Sequence, residues 1–255
     1  MAAQLNNGAI VWDEDGKKRF ETGVDHAVLY PKQSEDATIS ALGENDSHPS
    51  TKFYNGVAWN GITSVSKSPS GADANDIYAD NIKYASIRSA ETFGGTIEAY
   101  TYPDEFAECD GSIAVGGGVF VGQQVRKPFG FCFRTDIGDD SDSGIDVGKK
   151  YKLHLVYNAT ASPSQQSFST INDSPEAITF SWEITTIPAI VGIVGGVRYN
   201  PTACITIDIT KLSDYDATTG TSAKMTAFEN ILYGTQNTAP MLPMPKDVIA
   251  HFNAA

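Results

Sequence analysis

The chain has 255 residues, 41% of them hydrophobic, with 23 Gly, 12 Pro, a formal net charge of −13 and a pI near 4.6. That length suits one large β domain or two small ones and is enough to bury a core. The 18 Lys and Arg form no run longer than Lys17-Lys18-Arg19, which acids flank, so the charge argues against a conventional nucleic-acid binder, and no apolar run is long enough for a membrane-crossing helix.

Residues 1–22 are polar and predict a loosely held N-terminal arm without the charged and apolar regions of a signal peptide. A β domain is expected over 23–249, followed by a short C-terminal tail at 250–255. His26 to Tyr30 reads as the first strand, and the polar stretch 32–52 as a loop. Phe53 to Ser66 holds two strand-like pieces, broken by Asn55-Gly56 and Asn60-Gly61, pairs that tolerate the positive φ of tight turns. Residues 67–76 are rich in turn formers and predict a loop. Its Ser68, Pro69, Gly71, Asp73 and Asn75 are candidates for bridging one copy of the chain to another. Asn81 to Ile87 follows as a strand.

Strict alternation then recurs. Ile97, Ala99 and Thr101 oppose Thr96, Glu98, Tyr100 and Tyr102. Phe129, Phe131 and Phe133 oppose Gly130, Cys132 and Arg134. Leu153, Leu155 and Tyr157 oppose Lys152, His154 and Val156. Ile178, Phe180, Trp182 and Ile184 oppose Thr179, Ser181, Glu183 and Thr185, and Ile205, Ile207 and Ile209 oppose Thr206, Asp208 and Thr210. A period of two with one apolar face marks a half-buried antiparallel strand. Gly116-Gly117-Gly118, and likewise Gly192, Gly195 and Gly196, read as hairpin turns or places of close backbone approach. One helix is expected, capped by Ser222, with Met225, Phe228, Ile231 and Leu232 as its apolar stripe and Gly234 at its end. The sum is a mainly β protein: a β-sandwich or open barrel with one flanking α-helix.

The search for chemistry is mostly negative. His26, His48, His154 and His251 are scattered, and there is no GxSxG elbow. Cys109, Cys132 and Cys204 lack zinc spacing and read as reduced, mostly buried thiols of a protein made in a cytosol. The acidic stretch 136–146 resembles a calcium loop, but counted from Asp139 its twelfth position is Lys150 rather than a bidentate Glu. It reads as a solvated loop. The acids Asp104, Glu105, Glu108 and Asp110 read as an exposed turn, since nothing sets two of them across a cleft. No catalytic, cofactor-binding or metal residue is assigned, and no cofactor is expected. A rival reading is a carbohydrate-binding β-sandwich module that stacks sugars on Trp12, Trp59 or Trp182. Trp182 shares the apolar face of Phe180 and belongs in a core, while Trp59 stays open.

Several long strings occur in order. They include Tyr54-Asn-Gly-Val-Ala-Trp59-Asn-Gly-Ile-Thr-Ser64, Tyr78-Ala-Asp-Asn-Ile-Lys-Tyr84 and Thr96-Ile-Glu-Ala-Tyr-Thr-Tyr-Pro-Asp-Glu-Phe-Ala-Glu-Cys-Asp-Gly111. Gly122-Gln-Gln, Lys127-Pro-Phe-Gly-Phe131, Lys152-Leu-His-Leu-Val-Tyr157, Asn172 to Trp182 and Glu229 to Thr235 follow. Over about residues 23–249 this set resembles the major tail proteins (tail tube proteins) of long non-contractile-tailed phages of Gram-positive bacteria. The resemblance implies a tail-tube fold whose strands join a shared inner β-barrel in a hexameric ring. Rings stack into a tube for DNA ejection, and no catalytic residue carries over. It implies self-association and contact with tape measure, tail terminator and distal tail proteins, but no membrane. The protein is then expected in the tail tube of the virion, and in the host cytoplasm before assembly. DNA passes through the lumen without stable binding. Glu98, Glu183 and Asp208, acids on polar strand faces, are the candidate lumen-facing residues.

Overall fold

The computed structural model describes residues 12, 18–32, 55–71, 74–88, 91–140, 149–164, 166–168, 170 and 177–253. In chain order the strands are β1 (Phe20–Pro31), β2 (Val57–Ala58), β3 (Ile62–Lys67), β4 (Ser70–Gly71), β5 (Ala74–Ala79), β6 (Ile82–Arg88), β7 (Glu91–Thr92) and β8 (Gly94–Ala99). They continue as β9 (Ile113–Gly116), β10 (Val119–Val121), β11 (Phe129–Gly138), β12 (Tyr151–Ala161), β13 (Phe180–Thr186), β14 (Gly192–Val194), β15 (Val197–Tyr199) and β16 (Cys204–Asp208). Two helices, α1 (Ala223–Leu232) and α2 (Pro245–Asn253), close the chain.

Eight strands form one antiparallel sheet in the order β2-β1-β11-β12-β13-β8-β3, with β16 also paired to β12. The long strand β12 serves two neighbours on one edge. Lys152 to Val156 pair with β16, and Ala159 to Ala161 pair with β13. Asn158, at φ 49, sits between the two registers. The ends of this path, β2 and β3, are joined by only Trp59 to Gly61. The Trp59 N–H donates to Ala27 O at 2.8 Å, and the Tyr100 N–H donates to Gly61 O at 2.8 Å. The sheet therefore curls until its two edges are laced together by one short segment.

The curl creates two cores. Inside it lie Leu29, Trp59, Ile97, Phe106, Phe129, Phe131, Val156, Trp182 and Ile184. The rings meet tilted or edge to face, with Trp59 and Phe106 centroids 4.5 Å apart and Trp59 and Trp182 5.6 Å apart. Outside it, Tyr30, Cys132, Leu153, Leu155, Tyr157 and Ile207 pack under Met225, Phe228 and Leu232 of α1 and Val248 of α2. Central strands β11 and β12 are thus buried on both faces, where alternation alone predicts one wet face. Each fully buried Phe or Leu contributes about 1.5–3 kcal/mol, so these two strands hold the fold together.

Helix α1 forms where its cap and stripe predict it. Ser222 Oγ accepts from the Met225 N–H at 3.1 Å, and Gly234 takes φ +76 just past the end. The expectation of one helix is corrected: the described residues form two. Residues 250–253, expected in a free tail, are the last turn of α2. Phe252 lies 5.1 Å from the Phe228 ring, and His251 Nε2 is 2.9 Å from Lys224 O. Burial of Val248 and the packing of Phe252 make this segment helical. At the other end β1 begins at Phe20, inside the span read as an arm, because Phe20 to Thr22 pair with Asp136 to Gly138 of β11.

The loop expected at 67–76 is also corrected. Beyond the sheet the pairing of β3 with β8 is followed in the same register by β4 with β7 and β5 with β6, together the ribbon. The residue numbers of paired positions sum to 162 from Ser64 with Glu98, through Lys67 with Gly95 and Ser70 with Thr92, to Ile77 with Ala85. The Ser68 N–H donates to Gly94 O at 2.8 Å in the same register. Gly71 therefore lies in β4 and Asn75 in β5, Ser68 and Pro69 link β3 to β4, and Asp73 falls outside the described residues. The ribbon turns at Asp80 (φ 51) and Asn81 (φ 62), the paired positive φ of a tight hairpin turn. At about 3.3 Å per residue, the six residues Ala74–Ala79 of its outer part span about 20 Å.

Candidate functional site

The outward face of the sheet is divided. Helices cover β1, β11, β16 and the first part of β12. They leave bare the outward side of β3, β8 and β13, where the residues are Ser64, Ser66, Thr96, Glu98, Ser181, Glu183 and Thr185. The alternation that sends Ile97, Ala99, Trp182 and Ile184 inward turns these outward. Ser181 pairs with Glu98 and Glu183 with Thr96, which sets the two acids on adjacent strands. Ser64 Oγ donates to Glu98 Oε2 at 2.8 Å, and Glu183 is exposed. The result is a polar wall of small hydroxyl side chains with two carboxylates.

Asp208 does not join them. It lies on β16, at a groove of about 370 Å³ beside Glu21 and Lys152. Its Oδ1 accepts from the Thr210 N–H at 3.0 Å and the Thr210 hydroxyl at 2.6 Å, capping the turn Ile209–Lys211. Lys211 Nζ stands 3.7 Å from its other oxygen.

The ribbon and two short hairpins carry apolar residues into solvent. On the ribbon these include Ile77, Tyr78, Ile82, Tyr84 and Ile87, with Tyr84 73% exposed. Lys83 and Asp76 form an ion pair at 2.8 Å across it. The triple glycine turns the β9–β10 hairpin, and Gly195-Gly196 turns the β14–β15 hairpin. Both carry exposed Val and Ile. A two-stranded ribbon of this kind is marginal in water by itself, and apolar surface of this extent marks contact sites.

One end of the curl is closed by a polar cluster that the alternation of β12 did not reveal. His154 is 3% exposed and stacks on Phe133, with ring centroids 4.6 Å apart. Its Nδ1 lies 2.7 Å from Lys67 Nζ and 3.1 Å from Thr206 Oγ1. Its Nε2 lies 2.9 Å from Thr135 Oγ1 and 3.2 Å from Glu21 Oε1. Burial and then the Lys67 ammonium push the imidazole down to about 4. It is therefore neutral near pH 7, and Nδ1 accepts from Lys67. Partial burial raises the Glu21 carboxyl, but Lys152 and the Thr135 hydroxyl outweigh it and hold it at about 2. Five strands, β1, β3, β11, β12 and β16, meet in this cluster.

Other expected sites fall as follows. Asp139, the first position of the calcium-like loop, is buried and ion-paired to Lys150 at 2.7 Å, while 141–146 lie outside the described residues. Among the described residues no group of three or more His, Cys, Asp or Glu is placed to hold a metal ion. Burial pushes the Cys109 and Cys132 thiols up to about 12. Trp59 and Trp182 are core residues, and the Trp59 Nε1–H donates to Thr101 O at 2.8 Å, so neither offers a face to a sugar. No family model and no curated protein matches the chain.

Proposed function

We propose that this chain is a structural virion subunit that self-assembles into stacked hexameric rings, forming the tail tube of a long non-contractile-tailed phage of Gram-positive bacteria. In this reading the curled sheet is the subunit's share of a tail-tube fold, and it has no enzymatic role. The polar wall on β3, β8 and β13 then belongs to a shared inner barrel, with Glu98 and Glu183 toward the bore. Tape measure, tail terminator and distal tail proteins are its expected partners, and DNA crosses the bore without gripping.

The observation that carries the reading is the ribbon. A hairpin beyond the sheet, apolar at its tip and in register with two of the wall's three strands, leaves Ile77, Tyr78, Ile82 and Tyr84 exposed in a lone subunit. It suits a subunit that completes its burial against copies of itself. The ordered resemblance along the chain supports the same reading.

Negative-stain microscopy and sedimentation of the purified chain at rising concentration test it. Rings or hollow tubes are expected, and a chain that stays single throughout rejects the proposal. The ribbon's part is tested by replacing Ser70–Thr92 with Asn-Gly, which keeps the Ser68 to Gly94 bond and the Lys67 to His154 contact. The shortened chain should keep its circular dichroism and melting temperature and lose polymerisation. Normal tubes from it would remove the ribbon from assembly.

A further inference from the structure

The two short hairpins point to which surfaces meet. Neither belongs to the large sheet. The β9–β10 hairpin leaves the sheet after β8 and returns to β11. The Ser112 N–H donates to Ala107 O and the Gln124 N–H to Gly111 O, at 2.8 and 2.9 Å, which fixes its root. The β14–β15 hairpin leaves after β13 and returns to β16, rooted by paired bonds between Ala189 and Thr202 of 2.8 and 3.0 Å. Both are held firmly at the base, in two different places on the subunit.

Their composition is unusual for a chain of charge −13. Residues 112–125 carry no charge, yet Val115 and Val125 are 64% and 89% exposed. Between Ile187 and Ile207 the only charged side chain is Arg198, which is exposed, and Ile193, paired with it across the hairpin, and Ile190 are 65% and 80% exposed. Next to the first hairpin, the turn Asp104–Phe106 presents two exposed acids, Asp104 and Glu105. Glu108, further along, is engaged by Lys127 at 2.6 Å.

Copies of an acidic chain repel over most of their surface and meet best where charge is absent or opposite. Two different patches on each copy make a head-to-tail contact, the kind that closes rings. We propose that the β9–β10 hairpin of one copy seats against the β14–β15 hairpin of the next, with Arg198 facing Asp104 and Glu105. The inference rests on the self-assembly reading above and names the surfaces that perform it. Each hairpin offers a few hundred Å² of apolar surface, less than the roughly 800 Å² per partner of a lone stable contact. The contact therefore acts together with the ribbon and is sensitive to one charge.

A charge swap in the full chain tests it. Arg198→Glu alone, and Asp104→Lys with Glu105→Lys alone, should each raise the concentration needed for assembly about tenfold. The three changes together should restore it. Circular dichroism of each variant establishes that the subunit is folded. Assembly of Arg198→Glu at the wild-type concentration overturns the proposal, as does a triple variant no better than the single swap. Open filaments without tubes, lost and regained by the same swaps, would keep this contact and reject the tube. A wild-type chain that remains single rejects both.

Discussion

His154 ties the first strand to the root of the ribbon, and its protonation state decides whether that tie is comfortable. Around the ring stand Glu21 from β1, Lys67 from β3, Thr135 from β11, Lys152 from β12 and Thr206 from β16. In the folded chain the imidazole stays neutral until about pH 4, whereas an ordinary histidine takes up a proton near 6.5. Between those values the unfolded chain binds more protons, so stability rises with pH there. The contribution is complete above about 6.5 and is lost as pH falls toward 4. Glu21, held at about 2 against an ordinary 4.5, adds stability that is present above 4.5 and is lost as pH falls toward 2. The wild-type melting temperature should thus fall between pH 7 and pH 4.5. His154→Gln should flatten most of that slope and cost about 1–3 kcal/mol at pH 7, because the buried ring stacked on Phe133 and the fixed placing of its two nitrogens are lost. Parallel melting curves for the two chains across this range would show that the ring does not set the slope. The pattern of β12 placed His154 on the correct strand. It gave no sign of the cluster, because Glu21 and Lys67 are distant in sequence and only the curl of the sheet brings them together.

At the scale of elements, the ribbon depends on a close approach at its root. A Cβ on Gly95 would stand 2.3 Å from Ser66 O, a backbone atom with little room to yield. Gly95→Ala should therefore destabilise the chain by about 1–3 kcal/mol. Amide exchange should rise first at Ser64 to Ser68, opposite the changed strand. Uniform loosening of β11 and β12 instead would mean that the strain is not local. The ribbon also shows what local sequence can and cannot say. Pro69, Gly71 and Asn75 are turn formers, and composition reads them as a loop. Gly71, at φ +89, and Asn75 are instead paired with Glu91 and Ile87 across the hairpin, a non-local cause invisible in a short window. Helix α1 was legible because cap, stripe and terminating glycine agree. Helix α2 left fainter signs, a proline at its first position, Asp247 in its first turn and His251 in its last. The alternation of β11 and β12 showed their two faces, but burial of both follows only from the curl and from the helices laid over it.

For the whole molecule, the proposed tube has to hold DNA without binding it. The wall of Ser64, Ser66, Thr96, Glu98, Ser181, Glu183 and Thr185 has two carboxylates and no cation on its outward positions. Duplex DNA binds proteins largely by releasing counterions to Lys and Arg, so a wall of hydroxyls and acids offers it nothing to exchange. If this face lines the bore, Glu98→Lys with Glu183→Lys changes the lining by about 24 charges per hexameric ring and leaves the apolar contacts between copies untouched. Glu98 loses one partner, Ser64, and Glu183 is exposed, so the subunit should still fold and assemble. The variant tubes should retain short DNA duplexes at low salt and release them as salt rises, while wild-type tubes retain none. Arg198→Glu, at the proposed subunit contact, should change assembly without changing DNA retention. Tubes of the double lysine variant that hold no more DNA than wild type would place the bore on another face, and wild-type tubes that hold DNA as firmly would end the idea of a non-gripping wall.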